Sequence, residues 1–181
     1  MSLIESQIKL NPGDKAPDFK LPGIDGAIYS LDNFSDYQGL LIIFMCNHCP
    51  YVKAKIDTMI NLQKEFNQIA VIGINSNDPQ YPGEGMENMK KFAQERGINF
   101  VYLLDDTQKT AKAYGAACTP DPFLFDKDGK LVFHGKLDNA LSLDEQVTEQ
   151  TMKDNINTLL KGEEIEKKFD PSIGCSIKWL S

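Results

Sequence analysis

The stretch Leu40–Pro50 reads LLIIFMCNHCP and contains the features that decide the fold. Its first part, Leu40–Met45, is an unbroken apolar run, which is typical of a strand that is covered on both faces. Pro50 suits the first turn of a helix, where a missing N–H costs little. The sequence therefore predicts a buried strand that leads through a C-x-x-C motif, residues 46–49, directly into a helix.

Apolar residues recur at helical spacing after this motif. Val52, Ile56 and Met59 lie three or four positions apart and predict one buried stripe on the helix. Strand-like and helix-like segments then alternate, which predicts an α/β fold with a central mixed β-sheet flanked by helices. The other predicted elements are an N-terminal β-hairpin (18–21 and 27–31), strands at 70–74, 100–104, 123–125 and 131–133, an insertion at 77–97, and helices at 86–96, 107–114 and 144–160.

Length and composition indicate a single globular domain over residues 1–181. The chain is 41% apolar and 25% charged, and we expect a core at 10–165 followed by an irregular C-terminal tail at 166–181. The net charge of −7 argues against nucleic acid or an anionic membrane surface as a partner. No apolar run approaches the roughly 20 residues of a membrane-spanning helix. Because the N-terminus also lacks a secretory pattern, we expect a cytoplasmic protein.

The C-x-x-C pair points to thiol chemistry. The chain has four cysteines, and a closely spaced pair in a cytosolic protein is typical of a catalytic or metal site rather than of a structural disulfide. Unpaired N–H groups and the dipole at a helix N-terminus stabilise a thiolate. We therefore expect Cys46, nearer the exposed end, to attack as the thiolate and Cys49, one turn further in, to resolve the mixed disulfide.

The two residues between the cysteines have supporting roles in this hypothesis. Asn47 could cap the helix, and a charged His48 would stabilise the thiolate and make the pair more oxidising. A structural zinc site is the main alternative, but it normally needs four ligands. The other candidate ligands, Cys118, Cys175, His48 and His134, show no metal-binding spacing. We expect no metal at this pair.

Thr119-Pro120 precedes a predicted strand, and with the strand, C-x-x-C and helix described above it resembles the thioredoxin fold. The resemblance implies that Pro120 is cis and faces the cysteines, and that Thr119 offers its backbone to an extended substrate segment. Residues 13–19 resemble the opening motif G-x-x-A-P-x-F of the larger redoxin group, which includes AhpC/TSA and TlpA-like proteins. The segments CNHCPYVK (46–53) and GCSIKW (174–179) resemble a bacterial C-N-H-C subfamily of that group.

The chain also departs from two patterns of these relatives. Met45 stands where thioredoxin has a tryptophan before its C-x-x-C, so the redox poise and the partner are expected to differ. Peroxiredoxins carry P-x-x-x-T-x-x-C. With Cys49 in the last position of that pattern, Ile42 and Cys46 replace the proline and the threonine. This argues against a dedicated peroxidase and leaves weak peroxidase activity open.

The sequence therefore predicts a thiol–disulfide oxidoreductase that acts on protein or small-molecule disulfides, uses no bound cofactor and takes electrons from an unidentified donor. Cys118 and Cys175 could form a second redox step, or Cys118 could be a small buried apolar residue. Two alternative functions remain open. One is an antioxidant hydroperoxide reductase that works through a cysteine sulfenic acid, and the other is a non-enzymatic thioredoxin-like binding module.

Overall fold

The computed structural model describes residues 3–142 and 144–181. None of the helices in these ranges is long and apolar enough to cross a membrane. The helices are α1 (Pro50–Glu65), α2 (Met86–Arg96), α3 (Lys109–Tyr114) and α4 (Thr151–Leu160). The strands are β1 (Leu3–Glu5), β2 (Leu21–Pro22), β3 (Ile28–Tyr29), β4 (Gly39–Phe44), β5 (Ile69–Asn75), β6 (Val101–Leu104), β7 (Cys118–Thr119), β8 (Asp121–Asp126), β9 (Leu131–Gly135), β10 (Phe169–Asp170) and β11 (Ile173–Ser176).

A six-stranded sheet with the order β10-β9-β8-β4-β5-β6 forms the centre of the fold. β4 pairs in parallel with β5 and antiparallel with β8, so the sheet is mixed. The parallel pairs require crossover connections, and helices supply them. The predicted α/β fold with a central mixed sheet is confirmed.

The side chains of β4 alternate between two cores, one on each face of the sheet. Leu41 and Ile43 pack with residues of α1, α2 and α4, whereas Ile42 and Phe44 pack with residues of α3 and the N-terminal hairpin. Every residue of β4 is buried. Full burial of one such aliphatic side chain contributes about 1.5–3 kcal/mol, so β4 holds the motif that follows it in a defined place.

Helix α4 begins at Thr151, and the predicted start at residue 144 was wrong. The side-chain oxygen of Asn139 accepts hydrogen bonds from the backbone N–H groups of Thr148 and Glu149, at 3.0 and 2.9 Å. These bonds hold the segment before α4 in a non-helical path, and Val147 within it is exposed. A local side-chain to backbone network therefore overrides the helical pattern.

The other predicted boundaries of helices and strands lie closer to the observed ones. Gly97 ends α2 in the left-handed conformation with φ of 68°, as expected for a glycine C-cap. The N-terminal hairpin is confirmed but short, since it pairs β2 with β3. Helix α3 begins at Lys109 rather than at residue 107, because Gln108 takes a left-handed φ of 60°.

The C-terminal tail contains two strands and is not irregular as predicted. β10 pairs in parallel with β9. β11 lies between β1 and β7 in a separate three-stranded sheet. These partners have only two to five residues and come from distant parts of the chain. Such short pairings leave no periodic pattern in the sequence, so only the assembled fold shows them.

Candidate active site

Cys46 and Cys49 lie at the junction of β4 and α1. Cys49 is the N-cap of α1, and Pro50 is the first helical residue. The cap position therefore belongs to Cys49 and not to Asn47, because the helix starts one residue after the second cysteine. Cys46 and Cys49 are 1% and 0% exposed. The expectation that Cys46 is nearer the exposed end does not hold, since both residues are fully buried.

The peptide bond between Thr119 and Pro120 is cis, as the resemblance implied. Thr119 faces both sulfurs of the pair. Its Oγ1 lies 3.3 Å from Cys46 Sγ, and its carbonyl oxygen lies 3.4 Å from Cys49 Sγ. The hydroxyl can donate to a thiolate on Cys46, and the carbonyl oxygen accepts a hydrogen bond from a protonated Cys49 thiol.

The backbone edge of Thr119 pairs with β11, another strand of the same chain. Thr119 is the register partner of Cys175 in β11, and Cys118 is the partner of Ser176. The resemblance predicted that this edge receives an extended substrate segment. In the structure β11 holds that place, so a substrate has to displace β11 or approach from another side.

A buried carboxylate, Glu84, holds the turn between the two cysteines. Its side chain is 0% exposed, although it belongs to the loop before α2. It accepts hydrogen bonds from the backbone N–H groups of Asn47 and His48 at 3.2 and 3.3 Å. It also accepts one from Nδ2 of Asn75 at 2.6 Å and bonds Nδ1 of His48. Sequence reasoning missed Glu84, because no spacing rule links it to a motif 36 residues earlier.

Asn47 and His48 fasten the motif to the inserted loop. Asn47 donates from Nδ2 to the carbonyl oxygen of Gly83 at 3.1 Å and accepts from the hydroxyl of Tyr102 at 2.7 Å. The ring of His48 lies 4.8 Å from the ring of Tyr81, centroid to centroid. These contacts give both residues a positioning role. The effect of His48 on the redox potential stays a prediction.

The pKa values of the two thiols of the pair are shifted in opposite directions. A hydrogen bond from the Cys46 thiol lowers the pKa of Cys49 to about 4, with burial opposing. The Cys175 thiol and the backbone N–H groups of Val52 and Cys175 lower it further. Burial raises the pKa of Cys46 well above its usual value, and the Cys49 sulfur and the charge of Glu84 add to that effect. The sequence led us to expect the thiolate on Cys46; that role stays a prediction, and Cys49 is the thiol of the pair whose pKa is lowered.

The other two cysteines lie on opposite faces of the β7–β11 pair. Cys175 Sγ is 2.9 Å from Cys49 Sγ. Cys118 Sγ lies 3.8 Å from the carbonyl oxygen of Pro120 and 4.0 Å from that of Ser172, and burial raises its pKa. Because neighbouring side chains on a strand alternate in direction, the residue that faces Cys49 is Cys175 and not Cys118. A redox role for Cys118 stays a prediction.

The model of the AhpC/TSA family matches residues 12–134, which is more than half of the chain. The chain belongs to the AhpC/TSA family. The matched region of this AhpC/TSA protein includes the C-x-x-C, Glu84 and the cis Thr119–Pro120 bond. It does not include β11 or Cys175.

Comparisons with solved structures bear on the fold. A conserved protein from Geobacillus kaustophilus is 41% identical, with a TM-score of 0.94 over 99% of this chain and 97% of that one. The thioredoxin domain of the thiol-disulfide oxidoreductase BVU-2223 from Bacteroides vulgatus is 21% identical, with a TM-score of 0.61 over 70% of this chain and 89% of that one. The second comparison bears on the fold alone, and it confirms the thioredoxin fold.

The name of one curated relative describes a redox activity of that protein. The thiol-disulfide oxidoreductase ResA from Geobacillus thermodenitrificans is 26% identical over 121 residues. The match covers 66% of this chain and spans 66% of the length of that protein. The name of this relative supports redox chemistry for the AhpC/TSA protein in general terms.

One group of side chains near the pair could hold a metal ion. Donor atoms of Cys46, His48 and Glu84 all lie within 4.8 Å of one another. These three residues are one ligand short of the four that structural zinc sites use. In the structure His48 and Glu84 also bond each other. The expected absence of a metal stays a prediction, which metal analysis of the purified protein tests.

The lowered pKa of Cys49 gives a pH prediction. Between pH of about 4 and the usual thiol value of about 8.5, the unfolded chain binds a Cys49 proton that the reduced folded chain has lost. The free energy of unfolding of the reduced protein should therefore rise with pH across this window, and the contribution of Cys49 disappears as pH falls through about 4.

Thiolate absorbance at 240 nm, followed as a function of pH, checks this prediction. The reduced protein should show a one-thiolate step near pH 4, and Cys118→Ser should keep it. Cys49→Ser should lack this step. A wild-type protein whose first step comes at pH 8 to 9 would contradict the assignment.

Proposed function

We propose that this AhpC/TSA protein is a thiol–disulfide oxidoreductase that cycles between a Cys46–Cys49 dithiol and a disulfide. The observation that carries the proposal is the position of the pair at the start of α1, where Cys49 is the N-cap and both sulfurs face the residue before the cis proline; the lowered pKa of Cys49 agrees with it. The similarity to a relative named a thiol-disulfide oxidoreductase supports the same chemistry.

The reaction begins with the Cys49 thiolate, which reverses the roles expected from the sequence. Cys49 Sγ attacks one sulfur of a substrate disulfide, the S–S bond breaks, and the first substrate thiolate leaves with the electron pair and takes a proton. Cys46, now deprotonated, attacks Cys49 Sγ in the mixed disulfide and releases the second substrate thiol. The substrate gains two electrons, and the protein becomes the Cys46–Cys49 disulfide.

The surroundings of Cys46 suit its part as the resolving thiol. Burial is the main cause of its raised pKa, and the neighbouring Cys49 sulfur adds to it; this second contribution disappears once Cys49 is bound in a neutral mixed disulfide. The charge of Glu84 also raises the pKa of Cys46, so the surroundings of Cys46 keep it protonated at rest.

We further propose protein or small-molecule disulfides as substrates, with electrons supplied by a separate thiol donor. Cys49 is 0% exposed, so the segments packed on it have to shift before a substrate disulfide can reach it. β11 is one of these segments, because Cys175 contacts the Cys49 sulfur. The cytoplasmic location stays a prediction from the sequence.

Hydroperoxide reduction is a second candidate, and the position of the thiolate favours it. Cys49 is the sulfur with the lowered pKa, and it is also the residue that aligns with the reactive cysteine of the peroxiredoxin pattern. A thiolate there can attack an O–O bond and become a sulfenic acid. The proline and threonine of that pattern are replaced by Ile42 and Cys46, so we rank this candidate second.

Two parallel assays test the proposal. With dithiothreitol as donor, the wild-type protein should accelerate the reduction of insulin disulfides, and it should consume hydrogen peroxide much more slowly. The opposite ranking would favour the peroxidase. Activity in neither assay would contradict both enzymes and favour a non-enzymatic binding module. Cys118→Ser, which removes a buried thiol outside the pair, is the matched control and should behave as the wild type.

A further inference from the structure

Cys49 contacts a second thiol besides its partner in the C-x-x-C. Its sulfur lies 2.9 Å from Cys175 Sγ. An S–S bond is about 2.0 Å long, so the two sulfurs need to approach by only about 0.9 Å to be joined. Cys175 lies 126 residues away in sequence and outside the region that the AhpC/TSA model matches.

The fold brings Cys175 to this position by a specific strand pairing. β11 is the middle strand of its sheet, between β1 and β7, and Cys175 is the register partner of Thr119. Gly174 allows this close approach, because a Cβ there would come within 2.0 Å of the carbonyl oxygen of Thr119. Thr119 in turn contacts both sulfurs of the C-x-x-C. Cys175 is therefore built into the wall of the active site.

We propose that Cys175 is a third redox cysteine of this site, and that it exchanges with Cys46 as the disulfide partner of Cys49. The inference rests on the proposed function, because the Cys46–Cys49 disulfide is the source of the oxidising equivalent. β11 then supplies the third sulfur of a relay in which Cys49 forms a disulfide with either Cys46 or Cys175.

The exchange balances without any added oxidant or reductant. Cys175 loses its proton and attacks Cys49 Sγ, the Cys46–Cys49 bond breaks, and the electron pair leaves with Cys46, which takes up a proton. One S–S bond forms and one breaks, so the oxidation state of the protein does not change. The result is a Cys49–Cys175 disulfide and a reduced Cys46 that can react again.

The charges around Cys175 agree with this sequence of events. In the reduced protein its pKa is raised to about 12, first by burial and then by the neighbouring Cys49 sulfur, while Lys178 lowers it. Oxidation of Cys49 removes the thiolate that Cys175 faces, and Lys178 remains nearby. Cys175 therefore acts as a hydrogen-bond donor to Cys49 in the reduced protein and becomes easier to deprotonate after Cys49 is oxidised.

Disulfide mapping by mass spectrometry tests this relay. Reduced wild-type protein is treated with one equivalent of diamide, quenched in acid, alkylated and digested with trypsin. Cys46 and Cys49 share the peptide 21–53, whereas Cys118 and Cys175 lie in 113–127 and 169–178. We expect an internal disulfide in 21–53 together with a cross-link from 21–53 to 169–178.

Single substitutions assign the cross-link to its sulfurs. Cys46→Ser should form the 21–53 to 169–178 cross-link in most molecules, Cys49→Ser should lose it, and Cys118→Ser should keep the wild-type pattern. An internal disulfide alone in the wild type, with no cross-link in Cys46→Ser, would overturn the relay and leave the proposed function intact. A cross-link between 113–127 and 169–178 in Cys46→Ser would also overturn it. No disulfide at all in the wild type would contradict both proposals.

Discussion

Replacing Cys49 with serine should lower the rate of disulfide reduction by at least about 10³-fold, the scale on which loss of a catalytic nucleophile acts. Cys49 is the sulfur on which the stabilising hydrogen bonds converge, so no other thiol of the site has a comparably lowered pKa. A serine hydroxyl is not ionised near neutral pH and cannot form the mixed disulfide. The measurement is the initial rate of insulin reduction at pH 7 with a fixed concentration of dithiothreitol.

Two further variants make this result specific. Cys118→Ser should keep the wild-type rate within about twofold, because its sulfur contacts backbone carbonyl groups rather than the pair. The double variant Cys46→Ser, Cys175→Ser should hold a mixed disulfide on Cys49, since neither neighbouring thiol can then release the substrate. Recovery of that mixed disulfide on Cys46 of a Cys49→Ser protein would instead restore the roles expected from the sequence.

Replacing Glu84 with alanine should lower the free energy of unfolding by about 3–5 kcal/mol. This is the loss expected when a buried carboxylate is removed from the groups that donate hydrogen bonds to it. The change leaves the backbone N–H groups of Asn47 and His48 and the amide of Asn75 without their acceptor inside the protein. Such a loss is large against the 5–15 kcal/mol that typically stabilises a folded domain. Urea unfolding of the reduced protein, followed by circular dichroism, measures it.

Glu87→Ala is the matched control for this prediction. The side chain of Glu87 is 85% exposed and pairs with Lys90 on the surface of α2, so its loss should cost less than about 0.5 kcal/mol. Glu84→Gln keeps a side-chain oxygen in place and removes the charge that raises the pKa of Cys46. It should be more stable than Glu84→Ala and should lower the pKa of Cys46. An unfolding free energy of Glu84→Ala within 1 kcal/mol of the wild type would show that the carboxylate does not hold the motif.

The C-x-x-C motif and the elements beside it show which features of the site can be predicted from the local sequence. The apolar run before Cys46 predicted a buried central strand, and Pro50 predicted the start of α1 to within one turn. The helix N-terminus and the C-x-x-C spacing are local properties, and Thr119-Pro120 is recognisable as a dipeptide. These features depend on neighbours within one turn or one strand, so the sequence alone carries them.

The position of the thiolate is a different kind of property. The sequence indicated Cys46, because a helix N-terminus favours the cysteine nearer the exposed end. In the structure neither sulfur is exposed. Burial is the main cause of the raised pKa of Cys46, and the hydrogen bond from Cys46 is the main cause of the lowered pKa of Cys49; Glu84 and Cys175, which come from other elements, add to these effects. Desolvation and contacts between distant segments decide such shifts, and a linear pattern contains neither.

The sequence by itself determined the strand and the C-x-x-C at the helix start of this AhpC/TSA protein, and its resemblance to the thioredoxin fold implied the cis proline. Tertiary structure alone decided that Glu84 is the buried acceptor of the motif and that β11 occupies the edge of Thr119 with Cys175 against Cys49. The physical reason is the range of the interactions. Periodicity and capping act over a few residues, whereas the hydrogen bonds and strand pairing that complete the site join residues 36 to 126 positions apart.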